Sequence, residues 1–271
     1  MFRPVSAYIG LRYTRARRRN HFISFIALAS MLGIALSLIV LITVLSVFNG
    51  FDEQIRQRIF TLVPHITITR SDGTLSDWQT LSKRVMKPPG VISVAPYVFG
   101  QGLVFSHGQT HPVVISGILP TAKGQATALS NKMIAGKLSD LKAKQFDAVV
   151  GNQLAANLEV MPGDRVTLMV PPTTISPAGI EPRMRRLTVK GIFHVGNGVG
   201  FDNGVIFTNL SDAARLFAYP VNHVTGVQVR VNNLFAAPHI GDLLQQQLGV
   251  EYRVSNWTAQ YGAFYHAVKM E

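Results

Sequence analysis

Of the eight histidines, only His107 and His111 stand close together, and Gly108-Gln109-Thr110 between them reads as a hairpin turn. A metal site would need a third ligand, yet no carboxylate is adjacent to this pair. The chain has no cysteine, which removes thiol nucleophiles, thiolate metal ligands and disulfides together. Gly196, Gly198 and Gly200 lack the following lysine and helix of a phosphate-binding loop, and their setting does not fit the dinucleotide fingerprint. Neither G-x-S-x-G nor H-E-x-x-H occurs, and acidic residues are scattered singly, so no general acid and base are paired. These residues do not suggest catalysis, and no cofactor is expected in this chain. The most unusual segment is Pro171 to Pro182, which places four prolines between two strand-like runs and is followed by Arg183, Arg185 and Arg186. Fixed φ angles make it a stiff, protruding hairpin loop. A plain reading stays open: a solvated loop that ties two strands together, kept soluble by its arginines.

The elements that must carry this loop begin with an uncharged run from Phe22 to Phe51. About 20 apolar residues cross the hydrocarbon core, so this run predicts a transmembrane helix that continues past the bilayer. Arg12, Arg15, Arg17, Arg18 and Arg19 precede it, and Asp52 and Glu53 follow, which puts the N-terminus in the cytoplasm and the rest on the far side. A cleavable signal peptide has the same order of basic and apolar regions. Its apolar core of ~7–15 residues is about half this run, however, and Val47-Phe48-Asn49-Gly50-Phe51 offers no A-x-A site. Ala29, Gly33 and Ser37 recur every four residues, either as a face for close helix approach or as ordinary small membrane residues.

The net charge of +12 suggests nucleic acid until its distribution is considered. Arg3 and the five juxtamembrane arginines account for six of the 26 basic residues, leaving 20 against 14 acidic ones. Topology and anionic headgroups explain that cluster, so no nucleic-acid partner is expected. With 47% hydrophobic and 15% charged residues, the remainder reads as a packed domain rather than a tail.

Along the chain, residues 1–21 form a cytoplasmic basic segment and 22–51 the span. Ile55, Ile59 and Leu62 keep helical spacing, so a stalk is expected until Pro64 stops it. Residues 52–256 then read as one α+β domain. His65 to Thr69 is a strand, and Trp78 to about Met86 a helix capped by Ser76 or Asp77. Val91 to Phe99, Gly102 to Ser106 and Val113 to Ile118 are three further strands. Next come strands at 147–151, 165–170, 185–193, 203–208, 224–231 and 252–254, with helices at 152–158, 211–217 and 235–248. Leu243, Leu244 and Leu248 of the last helix are expected to face inward. Trp257 to Glu271 has the period of another helix and lacks a cap, as if a longer chain continued through it.

Taken together, several segments resemble the permease subunits of lipoprotein-releasing ABC transporters, the LolC, LolE and LolF type, over essentially the whole chain. They are Ile9-Gly10-Leu11-Arg12-Tyr13, Thr43-Val44-Leu45-Ser46-Val47-Phe48-Asn49-Gly50-Phe51, Val149-Val150-Gly151-Asn152-Gln153-Leu154-Ala155, Gly163-Asp164, Gly191-Ile192-Phe193 and Ala267-Val268-Lys269-Met270-Glu271, together with the Pro171 to Leu187 loop. Phe48 departs mildly from a methionine usual in that family.

The resemblance implies an N-terminal transmembrane helix with a stalk, then a MacB-like periplasmic domain of a mixed α/β lobe and a β-rich lobe. The β-rich lobe would occupy about 119–194 and carry a hook at 171–182, and 257–271 would lead to a second membrane helix. It also implies an inner-membrane protein, multi-pass when complete. Its partners would be a LolD-like cytoplasmic ATPase, a LolE-like subunit or second copy, membrane lipid, lipoprotein substrates and a LolA-like periplasmic carrier. Pro171, Pro172, Ile175, Pro177 and Pro182 would form the carrier-binding hook, with Arg183, Arg185 and Arg186 as the neighbouring contact pad. Leu45, Phe48 and Phe51 would line a lateral path for acyl chains, or simply pack in the membrane. A rival reading is a MacB-like or cell-division-like permease that transmits motion to another periplasmic partner.

Overall fold

The structure, a computed structural model, describes residues 21–59, 62–71, 73–171, 182–196 and 200–259. Two compact units divide the chain, residues 1–55 and 56–271. The first holds most of helix α1, His21–Ile59, whose 39 residues contain an apolar stretch of 24, Phe25–Phe48, with mean hydropathy 2.7. That stretch alone is about 36 Å long, enough to cross a bilayer. Two of its hydroxyls are satisfied within the helix: Ser37 donates to the Gly33 carbonyl at 2.9 Å and Thr43 to that of Ile39 at 2.7 Å. Apolar surroundings favour this arrangement, because no water is at hand to replace those bonds. The helix does run on beyond Phe51, but it stops at Ile59 rather than reaching Pro64. Leu62 belongs to the folded domain instead, only 1% exposed.

The second unit is built around one long strand. A four-stranded antiparallel sheet is ordered β10 (Tyr252–Asn256), β1 (Ile66–Arg70), β9 (Gly226–Val231), β2 (Val91–Ser106). Helix α2 (Trp78–Val85) joins β1 to β2 and helix α7 (Ala237–Leu248) joins β9 to β10, so two βαβ halves interleave as a split βαβ layer. Alternation along β1 and β9 turns Ile66, Ile68, Val227 and Val229 toward Leu81, Val85, Ile240 and Leu244 of the helices.

Between the two halves the chain forms a closed barrel. The second half of β2 pairs with β3 (Gln109–Ile118), and the ring continues through β8 (Val205–Asn209), β5 (Asp147–Gly151), β7 (Arg183–Phe193) and β6 (Arg165–Val170). Strand β6 pairs back onto Leu103, Val104 and Phe105 of β2. Closure leaves this ring without an open edge. Val104, Ile115, Val150, Val166, Leu187, Val189 and Ile206 share its core. The outer side is covered by the 119–141 segment, where Leu129 of helix α3 (Gln125–Ser130), Leu138 and Leu141 join Val149, Phe193 and Phe207. Phe193 and Phe207 meet edge to face, centroids 5.3 Å apart.

Several sequence expectations are corrected here. The expected break between Val91–Phe99 and Gly102–Ser106 does not occur, because β2 runs unbroken for 16 residues. Its glycines make room instead of turning the chain: a Cβ on Gly100 would lie 2.2 Å from the Phe217 ring, and one on Gly102 2.6 Å from the Met169 carbonyl oxygen. The strands of the barrel extend from Val98 to Asn209, wider on both sides than the expected 119–194 lobe. Helix α7 turns Leu243 outward, 39% exposed, and packs through Ala237, Ile240, Gly241 and Leu244. Asp77 precedes α2 without capping it and instead accepts a hydrogen bond from the Tyr252 hydroxyl at 3.2 Å. Trp257 is core rather than helix, 2% exposed, and its indole N–H donates to the Leu234 carbonyl at 2.9 Å. The rest of the expected terminal helix, from residue 260, lies outside the described residues.

Candidate functional site

The proline loop leaves the barrel where β6 and β7 end their ladder at the pair Val170 and Arg183. Pro171 and Pro182 stand at the two feet, while Pro172, Ile175 and Pro177 lie outside the described residues. Beneath the feet is an apolar groove of about 770 Å³, lined by Gln101, Gly102 and Leu103 of β2, Pro112, Val113 and Val114 of β3, Met169, Pro171 and Pro182. Sequence reading found the feet and missed the floor. No local signal marks Met169 as a neighbour of Leu103 and Pro112, since β6, distant in sequence, is brought onto the β2–β3 hairpin.

The three arginines do not form one pad. In the β6–β7 ladder, Arg183 faces Val170, Arg185 faces Leu168 and Arg186 faces Thr167. A strand alternates its side chains, so Arg183 and Arg185 share one face and Arg186 takes the other with Met184, itself 58% exposed. Arg185 is further committed, its guanidinium lying 5.6 Å from the centroid of the Phe146 ring. Phe146 is held in turn. The fully buried carboxylate of Asp212, on helix α6 (Leu210–Leu216), accepts the backbone N–H of Lys144 at 2.7 Å and of Phe146 at 3.0 Å. Both residues have positive φ, 70° and 54°. The 142–146 turn is therefore tied from beneath, and Arg185 rests on it.

A similar tie orders the chain after β7. Buried Asp202 accepts the N–H of Val195 at 2.9 Å and of Gly196 at 3.1 Å, and its Oδ2 lies 2.8 Å from His194 Nδ1. The run Gly196, Gly198, Gly200 thus begins at a carboxylate anchor, and 197–199 lie outside the described residues. Asp147, at the start of β5, is 2% exposed, and burial pushes its carboxyl above the usual range against the opposing pull of Lys190, 3.8 Å away.

The histidine pair forms a turn, at His107 and Gly108 with φ of 46° and 77°, while Gln109 and Thr110 are already in β3. His107 Nδ1 lies 3.0 Å from Ser106 Oγ and 3.2 Å from the Leu158 carbonyl oxygen. Among the described residues no group of three or more histidine, cysteine or acidic side chains could hold a metal ion. On α1, Leu45 and Phe48 are 53% and 61% exposed and three residues apart, hence on one face, while the side chain of Phe51 lies outside the described residues.

A membrane-length helix leading into an α+β domain that carries a looped barrel defines the class. The family model described as "MacB-like periplasmic core domain" matches residues 27–246, and the chain belongs to this family. Among curated relatives it is LolC-like. It is 37% identical over 272 residues to the lipoprotein-releasing system transmembrane protein LolC of Xylella fastidiosa, covering 100% of this chain and 65% of the relative. It is 35% identical to LolC of Neisseria meningitidis, covering 98% and 64%, and 25% identical to LolE of Haemophilus influenzae, covering 97% and 64%. The chain therefore spans about 65% of the length of the curated relatives it matches. Among solved structures, the periplasmic region of MacB from Actinobacillus actinomycetemcomitans aligns with a TM-score of 0.48 at 14% identity, over 79% of this chain and 96% of that one.

Proposed function

We propose that this chain is the N-terminal part of a permease subunit in an ATP-driven complex that extracts lipoproteins from the inner membrane and passes them to a periplasmic carrier. The observation that carries the reading is identity of 35–37% to LolC proteins along nearly the whole chain, membrane helix and domain alike. Residues 22–51 act as the first membrane helix, 52–256 as the periplasmic domain and 257–271 as the approach to a second membrane helix. ATP hydrolysis belongs to a separate LolD-like subunit, and a LolE-like subunit or a second copy completes the permease pair. The loop at 171–182 recruits the carrier. Its prolines lower the ordering cost of contact. Arg183 and Arg186, on opposite faces of β7, steer the approach and make it salt-sensitive. Arg185 contributes less, being held by Phe146. Leu45, Phe48 and Phe51 face the acyl chains.

Calorimetry of the chain in detergent against the lipoprotein carrier, beside a Pro177→Gly, Ile175→Ser double variant, tests this. Loss of binding in the variant supports the hook, and equal affinity in both removes it. A second reading, transmission of ATP-driven motion to a different periplasmic partner, draws on the unbroken 39-residue helix, which continues past its membrane-length stretch. Capture of a peptidoglycan enzyme or outer-membrane channel by the loop, in place of the carrier, would favour it.

A further inference from the structure

The four-stranded sheet ends at β10, which pairs only with β1 among the described residues, while β2 on the other side passes into the closed barrel. An edge strand offers a row of N–H and carbonyl groups to any strand that approaches it. Which groups of β10 point outward follows from the ladder. The Glu251 carbonyl accepts the Ser71 N–H at 3.0 Å, toward β1. Alternation then turns the backbone groups of Arg253 and Ser255 the same way, and those of Tyr252, Val254 and Asn256 to the open side. Gln245, in the last turn of α7, covers the middle of that side. Its Oε1 accepts the Val254 N–H at 2.9 Å, while its Nε2 donates to the Tyr252 carbonyl at 2.9 Å and to the Gly249 carbonyl at 2.8 Å. One side-chain amide thus makes the bonds that a neighbouring strand would make. Gly249, at φ 78°, allows the reversal that brings β10 back beside the helix. Gln246 and Gln247, next in sequence, are exposed, so the contact falls to one glutamine of three.

We propose that Gln245 closes the β10 edge against a second copy of this chain, and that without it two domains join edge to edge. The strand suits its own copy. With Val254 opposite its counterpart in an antiparallel pair, Tyr252 meets Asn256 and Arg253 meets Ser255, so no like charges oppose each other. The pair would run one four-stranded sheet into another through the Val254 N–H and the Tyr252 carbonyl, the two groups of β10 that Gln245 holds. This inference concerns assembly and does not depend on the lipoprotein-release reading.

Because the chain has no cysteine, Arg253→Cys supplies a single thiol at an exposed position of the edge. The full chain carrying it, in detergent, is treated with a short bis-maleimide, and crosslinked dimer is measured with Gln245 retained, with Gln245→Met and with Gln245→Glu. Both substitutions remove the donor to Gly249 and Tyr252, so any loosening of the 249–252 turn is common to them. Only methionine also removes the acceptor of the Val254 N–H. Crosslinked dimer is expected to rise about tenfold with Gln245→Met, the effect of roughly one net hydrogen bond, and to stay within about twofold of the starting level with Gln245→Glu. Adding Val254→Pro to Gln245→Met should return it to that level, because proline lacks the outward N–H and leaves the ladder to β1 intact. No rise with Gln245→Met, an equal rise with Gln245→Glu, or a rise that survives Val254→Pro overturns the proposal.

Discussion

Replacing Asp212 by alanine should destabilise the domain by about 3 kcal/mol. The side chain is fully buried, and each carboxylate oxygen accepts a backbone N–H, from Lys144 at 2.7 Å and Phe146 at 3.0 Å. Taking the acceptor from these two partly buried N–H groups costs about 2 kcal/mol each, or about 4 kcal/mol together. Part is returned, since Lys144 and Phe146, at φ 70° and 54°, are released from a conformation that costs non-glycine residues on the order of 1 kcal/mol. Asp212→Asn keeps one acceptor oxygen and should cost about half as much. Urea denaturation in detergent, followed by fluorescence of the buried Trp257, measures both. Loss of the Phe146 platform should also free Arg185, seen as faster side-chain exchange by NMR. A cost below about 1 kcal/mol for Asp212→Ala would refute the idea that one carboxylate holds this turn.

Gly100→Ala should cost about 1–3 kcal/mol, because the new methyl meets the Phe217 ring at 2.2 Å; a Phe217→Leu change in the same chain should recover much of it, read as non-additive denaturation midpoints. His65 is 7% exposed, and burial, with Arg230 adding to it, lowers its pKa to about 4. Its neutral folded form is stabilising above pH 6.5, and that stability drains as pH falls from 6.5 toward 4, up to about 3 kcal/mol. Comparing midpoints of wild type and His65→Asn at pH 7 and pH 4.5 checks this, and parallel losses in the two would count against it. Asp147, whose carboxyl is raised by burial, works in the opposite direction and should partly offset the decline in both proteins.

Much of the chain was legible because local chemistry is one-dimensional. A long uncharged run favours a membrane-length helix, alternation in Ile66-Thr67-Ile68 buries one face, and Met161-Pro162-Gly163-Asp164 turns as read, with Asp164 accepting the Met161 N–H at 2.8 Å. The proline loop was visible for the same reason: fixed φ angles are a property of the residues themselves. The reading failed wherever a residue's meaning depended on a distant partner. Gly100 and Gly102 resemble strand breakers until Phe217 and Met169 are seen against them, and Trp257 resembles a helix residue until the Leu234 carbonyl accepts its N–H.

By itself, then, the sequence determined the membrane-length helix, the α+β alternation and a proline-rich connection between two strands. Only the tertiary structure decided that six strands close into a barrel, with β2 shared between barrel and sheet. It alone set Arg185 on the Phe146 ring and gathered Tyr97, Ser116 and Gln228 around one cavity. Strand pairing joins residues more than a hundred positions apart through backbone groups that every residue carries, so side-chain identity gives no sign of who pairs with whom.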